Sequence, residues 1–233
     1  MWFRFQPGPA LVKTAAVALQ QDLFMPLDPV PLIAKAPVIP VLTIERAADA
    51  VPLARALAAG GLPVIEVTLR TGAALDAVRA IASEVPQCVV GVGTVTRAVD
   101  VELAVAAGAK YLVTPGTTPG LAVALAGAPV PVLPGCATVS EAMALAEAGF
   151  GVLKFFPAQA AGGIAWLKSV AGPLPQLKFC PTGGIDSGNA GAYLALANVV
   201  AVGGSWPAPA EALATGDFAR ITSLAAAAAL LRA

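Results

Sequence analysis

From about Val38 to the C-terminus, short runs of β-branched and other apolar residues alternate with alanine- and leucine-rich segments of helical length. The apolar runs predict strands over 38–44, 63–69, 88–95, 111–116, 130–135, 151–157, 178–184 and 198–205. Between them the pattern predicts helices over 46–59, 73–85, 97–107, 118–126, 139–148, 163–171, 187–196 and 217–231. Strands that read as near-continuous apolar runs, linked by helices, are what a parallel sheet covered on its faces requires. Eight such units with no break in composition predict one (β/α)8 (TIM) barrel over residues 36–233 rather than an open doubly wound sheet. Residues 1–35 stand outside the array and predict an extra helix capping the N-terminal mouth, followed by the proline-rich connector 25–31. Junction chemistry agrees with these boundaries: Thr138-Val-Ser-Glu141 reads as a capping box, and Gly60, Gly108 and Gly149 stand where helices end.

Composition narrows the chemistry. The 233 residues carry fourteen basic and fourteen acidic side chains, and zero net charge argues against a nucleic-acid or anionic-membrane surface. There is no histidine, so His-based triads, His acid/base catalysis and the commonest metal sites are excluded. Cys88, Cys136 and Cys180 lie far apart without metal-ligand spacing and read as small buried hydrophobes of a reducing cytoplasm. The mean hydropathy is high at +0.79, yet the longest apolar stretch, Leu121 to Ala137, contains Pro129, Pro131 and Pro134, which would break a spanning helix. The N-terminal apolar segment includes Lys13 and lacks a clear small-residue cleavage site, so it does not read as a signal peptide. The expectation is a soluble cytoplasmic protein.

Barrels of this kind gather reactive residues at the C-terminal ends of their strands, and the unusual residues fall there. Lys154 sits within the apolar run GVLKFFP (151–157). An amine taken out of water is more readily deprotonated, and the free amine attacks carbonyls. The alternative is a strand-end lysine that lays its stem along apolar surface with its head in water. By the period of two, Glu66, Thr68 and Arg70 share a face, as do Val152, Lys154 and Phe156. If both faces point inward, Glu66 and Lys154 meet as a proton-shuttling pair or as a structural ion pair. Thr182-Gly183-Gly184 and Gly203-Gly204-Ser205 follow the seventh and eighth strands, where backbone N–H groups can hold a phosphate that a Cβ would keep away. Thr94, in GVGT (91–94), adds a hydroxyl at the same mouth, and Thr114-Pro115-Gly116 shapes a neighbouring loop or is only a turn. The fork of Arg70 suits a substrate carboxylate or a surface salt bridge.

These residues resemble a known family. The segments PVIPVL, GLPVIEVTLRT, VGVGTV, TPG, PGCATVSEAM, LKFFPA, FCPTGGI, VGGSW and GDFARIT, in order from about Pro37, are similar to the bacterial 2-keto-3-deoxy-6-phosphogluconate (KDPG) aldolases that also act on 4-hydroxy-2-oxoglutarate. The resemblance implies a class I aldolase that cleaves KDPG reversibly to pyruvate and glyceraldehyde 3-phosphate. It implies that Lys154 forms the Schiff base and Glu66 is the acid/base, with Arg70 and Thr94 on the pyruvyl carboxylate. It further implies that Thr182, Gly183, Gly184, Gly204 and Ser205 hold the far end and phosphate, that Phe156 packs beside the imine, and that Pro115 shapes the pocket. No metal or organic cofactor is implied, and the assembly implied is a homotrimer acting on a phosphorylated keto-acid sugar. The chain departs from the family at Gln159, where FFPAE is common, at Cys136-Ala137, where Ile-Ser is common, and in its longer N-terminal segment. Other readings are the galactonate-pathway aldolase, an imine-free phosphosugar isomerase or epimerase, and a barrel without catalysis.

Overall fold

The computed structural model describes residues 26–232, so most of the predicted N-terminal cap lies outside the described residues. The strand segments are β1 (Val38–Leu42), β2 (Val64–Thr68), β3 (Val89–Gly93), β4 (Leu112–Val113), β5 (Val132–Leu133), β6 (Gly135–Cys136), β7 (Val152–Phe155), β8 (Lys178–Pro181) and β9 (Val202–Gly204). Helices separate most of them, among them Ala50–Ala59, Ala74–Glu84, Ala98–Ala106, Pro119–Ala126, Val139–Glu147, Gly163–Val170, Ala190–Leu194 and Phe218–Ala229. A helix at Ala210–Thr215 was not anticipated; it is six residues long and its N-cap is Pro209, too short and too proline-flanked to show a period.

The expected closed, regular eight-stranded barrel is not what the chain forms. All pairings between strands are parallel, but they make a six-stranded sheet of order β5-β4-β3-β2-β1-β9 and a separate three-stranded sheet of order β6-β7-β8. The two sheets form a distorted, barrel-like α/β fold. One seam is Pro134, which has no N–H to donate to a ladder: the residues before it pair with β4 and those after it with β7. The other seam is between β8 and the last strand, joined only by isolated bridges, Phe179 to Val199 and Thr182 to Gly203.

Side chains hold the first seam where the ladder fails. The Gly135 N–H donates to Thr114 Oγ1 at 2.7 Å, and Thr117 Oγ1 donates to the Gly135 carbonyl at 3.1 Å. The Thr114 and Thr117 hydroxyls are 2.9 Å apart, so Thr114 donates to Thr117 and every proton in the ring has an acceptor.

Two apolar layers follow from the strand period. Residues pointing outward join the helices in a large outer core, while Ile39, Val64, Tyr111, Val113, Leu133, Val152, Cys180 and Ala201 pack together between the sheets. Ile33, on the short helix Val30–Ile33, joins that inner cluster and is fully buried. Among the described residues, no helix is long and apolar enough to cross a membrane.

Helix ends follow local chemistry. Gly108 and Gly149 adopt left-handed φ of 97° and 91° after their helices. At the helix Ala50–Ala59 that conformation falls one residue later, on Gly61, while Gly60 is the C-cap with φ of −80° and has no room for a side chain against Ala225 and the Thr222 carbonyl. The capping box is present: Thr138 Oγ1 accepts from the Glu141 N–H, and Glu141 Oε2 accepts from the N–H groups of Thr138 at 2.9 Å and Ala137 at 2.7 Å. Those bonds, Ala137 first, hold the Glu141 carboxyl below its ordinary 4.5. A carboxylate with a lowered folded value stabilises the fold above 4.5 and loses that contribution as acid carries it through the lowered value. Thr138→Ala is therefore expected to cost about 1 kcal/mol in urea unfolding at pH 7. The deficit of Glu141→Gln should shrink as pH falls below 4.5; a deficit constant with pH would argue that the charge contributes nothing.

Candidate active site

β2 is buried along its whole length, and its alternate residues Val64 and Glu66 point into the space between the sheets. On β7, Val152 and Lys154 do the same from the opposite side. Eighty-eight residues apart in sequence, Glu66 and Lys154 meet with Nζ 3.1 Å from Oε1 and 3.5 Å from Oε2, their side chains 5% and 6% exposed. A carboxylate and an amine at this distance, with water nearly excluded, can exchange a proton directly.

What makes room for the pair is the absence of a side chain at Gly93 of β3. A Cβ at Gly93 would overlap the Glu66 carboxylate, and one at Gly91 would overlap the Tyr111 ring. The Tyr111 hydroxyl donates to the Ile65 carbonyl at 2.9 Å and so satisfies its own polarity below the site. Neither Gly93 nor Tyr111 emerged from the sequence as a functional position, although two glycines spaced by two on one strand were a signal of close approach to that face of β3. Cys180, the register partner of Lys154 on β8, lines the same interior, and burial pushes its thiol up to about 12. It is a packing group there, not a second nucleophile.

The remaining candidates surround this pair in two groups. Phe156, half-buried, places its ring centroid 5.5 Å from Lys154 Nζ, within reach of a cation–π contact. Arg70 lies just past β2, exposed and without an ion-pair partner among the described residues. Thr94, just past β3, has φ of 60°, and it is the one non-glycine among the described residues with positive φ. Strain of this kind persists only where the surroundings hold it, and it collects at ligand sites. Arg70 and Thr94 form no hydrogen bond with Lys154 or Glu66 among the described residues, so the structure puts them at the same strand ends without joining them to the pair. Pro115 is half-buried, and its carbonyl group lies close against Gly135 at the Pro134 seam.

On the other side of the mouth lies the loop after β8. Thr182 is buried beside Gly203, where a Cβ would overlap its hydroxyl. Gly183 and Gly184 have φ of 99° and 74°, a conformation that glycine enters freely. The Thr182 carbonyl accepts from the Ala158 N–H at 2.8 Å, and the Gly183 carbonyl from the Gln159 N–H at 3.0 Å. The Gly184 carbonyl accepts from Asn189 Nδ2 at 2.9 Å. By contrast, the N–H groups of Gly183 and Gly184 donate to no acceptor among the described residues. Carbonyls tied back with donors left over is the arrangement an anion needs. Gly204 differs: its open face is filled by the Trp206 ring, so the missing side chain serves packing, and what it can offer a ligand is backbone alone. Ser205 is exposed at the edge of a cleft of about 540 Å3 that also includes Val41, the register partner of Glu66.

Comparison with known proteins gives a consistent set of likenesses. Residues 31–224 match the family model described as KDPG and KHG aldolase. The KHG/KDPG aldolase of Escherichia coli K12 is 49% identical over 189 residues, covering 81% of this chain and 89% of that protein. The crystal structure of KDPG aldolase from Legionella pneumophila, with pyruvate captured at low pH as a covalent carbinolamine intermediate, superposes with a TM-score of 0.85 at 46% identity, covering 87% of this chain and 98% of that one. That of the Zymomonas mobilis ZM4 aldolase with 3-phosphoglycerate gives 0.81 at 44% identity, covering 87% and 95%.

Proposed function

The chain belongs to the KDPG and KHG aldolase family, and from that premise we propose that Lys154 is its imine-forming nucleophile and Glu66 its proton shuttle. The protein is a lyase, a class I aldolase that cleaves KDPG reversibly to pyruvate and glyceraldehyde 3-phosphate and acts on 4-hydroxy-2-oxoglutarate. The observation that carries the residue assignment is the buried contact of 3.1 Å between Lys154 Nζ and Glu66 Oε1 in the space between the sheets.

The steps follow from that contact. The amine adds to the C2 ketone, and loss of water, with Glu66 supplying and removing protons, leaves a protonated imine. Glu66, directly or through one water, takes the proton of the C4 hydroxyl. The C3–C4 bonding electrons move into the imine, the aldehyde leaves, and an enamine remains. Protonation at C3 and hydrolysis then release pyruvate and restore the amine. Arg70 and Thr94 hold the pyruvyl carboxylate in this reading, Pro115 shapes that side, and Phe156 covers the imine. The phosphate rests on the N–H groups of Gly183 and Gly184, with Thr182, Gly204 and Ser205 completing the far end. Binding energy distant from the breaking bond positions the reacting atoms.

Incubation with pyruvate and borohydride, followed by intact-mass and peptide analysis, tests the reading. One reduced pyruvyl adduct on Lys154 is the expected result. No adduct on a folded sample would return the chain to imine-free phosphosugar chemistry. Turnover of KDPG against its C4 epimer then separates the gluconate from the galactonate reaction.

A homotrimer is part of the proposal. Its support is the family together with Val99, Leu103, Val123, Val139 and Met143, exposed apolar side chains on three successive helices. Sedimentation is expected to give three times the chain mass of 23.1 kDa. Val123→Glu with Met143→Glu should reduce it to monomers; a trimer unaffected by both charges would place the interface elsewhere.

A further inference from the structure

Tyr193 lies on the five-residue helix Ala190–Leu194 and is 1% exposed, yet it is not simply a core aromatic. Its hydroxyl donates to Gln159 Oε1 at 2.9 Å, across 34 residues of sequence. Burial raises the phenol above its ordinary value, so it remains a neutral donor. Gln159 is the residue whose N–H is bonded to the Gly183 carbonyl, and a Cβ placed on Gly184 would lie 2.5 Å from Gln159 Cβ. The loop backbone therefore rests on the stem of the glutamine that the tyrosine holds.

The consequence lies in the peptide plane. The C=O of one residue and the N–H of the next point in opposite directions within one rigid unit. Tying back the carbonyls of Thr182 and Gly183 thus aims the N–H groups of Gly183 and Gly184 the other way, toward the mouth. Any slack in Gln159 becomes a tilt of those two donors.

We propose that Tyr193 and Gln159 are positioning residues for the phosphate of the substrate, acting through the Tyr193 hydroxyl, the Gln159 side chain and the Thr182-Gly183-Gly184 backbone. The proposal rests on the reading of that loop as the phosphate site. Neither residue touches the reacting atoms, so imine formation with pyruvate does not depend on them.

The test compares Tyr193→Phe, Gln159→Leu and the double variant on KDPG and on its dephosphorylated form, 2-keto-3-deoxygluconate, alongside borohydride trapping of pyruvate. Losing one hydrogen bond of ordinary strength predicts a rise of about 3- to 10-fold in the KM for KDPG, with kcat, the KM for the dephosphorylated compound and trapping unchanged. The double variant should match either single one, because each breaks the same link. Equal effects on both substrates, or no effect on either, would overturn the brace while leaving phosphate binding intact. A parent enzyme that treats the two compounds alike would remove the phosphate site itself, and the brace with it.

Discussion

Lys154→Ala is expected to reduce KDPG cleavage by something on the order of 10⁶-fold, the scale seen when a covalent nucleophile is deleted. No neighbour can take over. The other nearby nucleophilic group, Cys180, carries a thiol pushed up to about 12 and lies fully within the inner cluster. The pyruvate adduct should disappear with the activity. The variant also leaves the Glu66 carboxylate buried without its amine, so a loss of stability of about 3–5 kcal/mol is expected beside the catalytic one. These two effects come apart in the pair Lys154→Met with Glu66→Gln, which replaces both charges by neutral groups of similar length. That variant should recover much of the stability and none of the activity. Near-normal turnover in either variant would mean that the 3.1 Å contact is only a structural ion pair.

Glu66→Gln should lower kcat by about 10²- to 10⁴-fold, the usual contribution of a positioned acid/base group. The amide occupies the same volume, which matters because Gly93 leaves space for the Glu66 head and little else. It still offers an oxygen to Lys154 Nζ but cannot relay a proton. Single-turnover mixing should therefore show both imine formation and C–C cleavage slowed, with the borohydride adduct still appearing on Lys154 at long times. An unchanged kcat would take Glu66 out of the mechanism and assign its proton transfers to water.

Much of the candidate site was legible in the sequence. The period of two placed Glu66 with Thr68 and Lys154 with Val152 and Phe156 on single faces of their strands, and an isolated charge within GVLKFFP announced itself against its neighbours. The capping box at Thr138 and Glu141 was readable because its chemistry is contained within four residues. Arg70 shows the limit of that logic: placed on the face of Glu66 by counting, it lies past the end of β2, where the chain has turned and the strand period no longer applies. The N–H of Arg70 already bonds back to the Thr68 carbonyl at 2.8 Å.

The regular closed barrel was the expectation that failed, and its failure is local. A repeating pattern reports which residues are buried, not whether each strand finds a continuous ladder on both sides. Pro134 was visible in the sequence, but that the chain would pair with β4 before it and β7 after it depends on where those strands lie. The same holds for glycines. The sequence shows that Gly91, Gly93, Gly183, Gly184 and Gly204 lack side chains; only the fold shows that Tyr111, Glu66, Gln159 and Trp206 fill the spaces at Gly91, Gly93, Gly184 and Gly204 while the Gly183 and Gly184 N–H groups stay open.

By itself, then, the sequence determined the alternation of elements, which residues share a strand face and the residue types able to do carbonyl chemistry, because periodicity and side-chain chemistry are properties of short stretches. Tertiary structure decided that Glu66 and Lys154 face each other, that Tyr193 reaches Gln159, and that the sheet divides at two seams. Those outcomes depend on distances of a few ångströms between segments tens of residues apart, and distances of that kind are set by packing, which no single stretch of the chain contains.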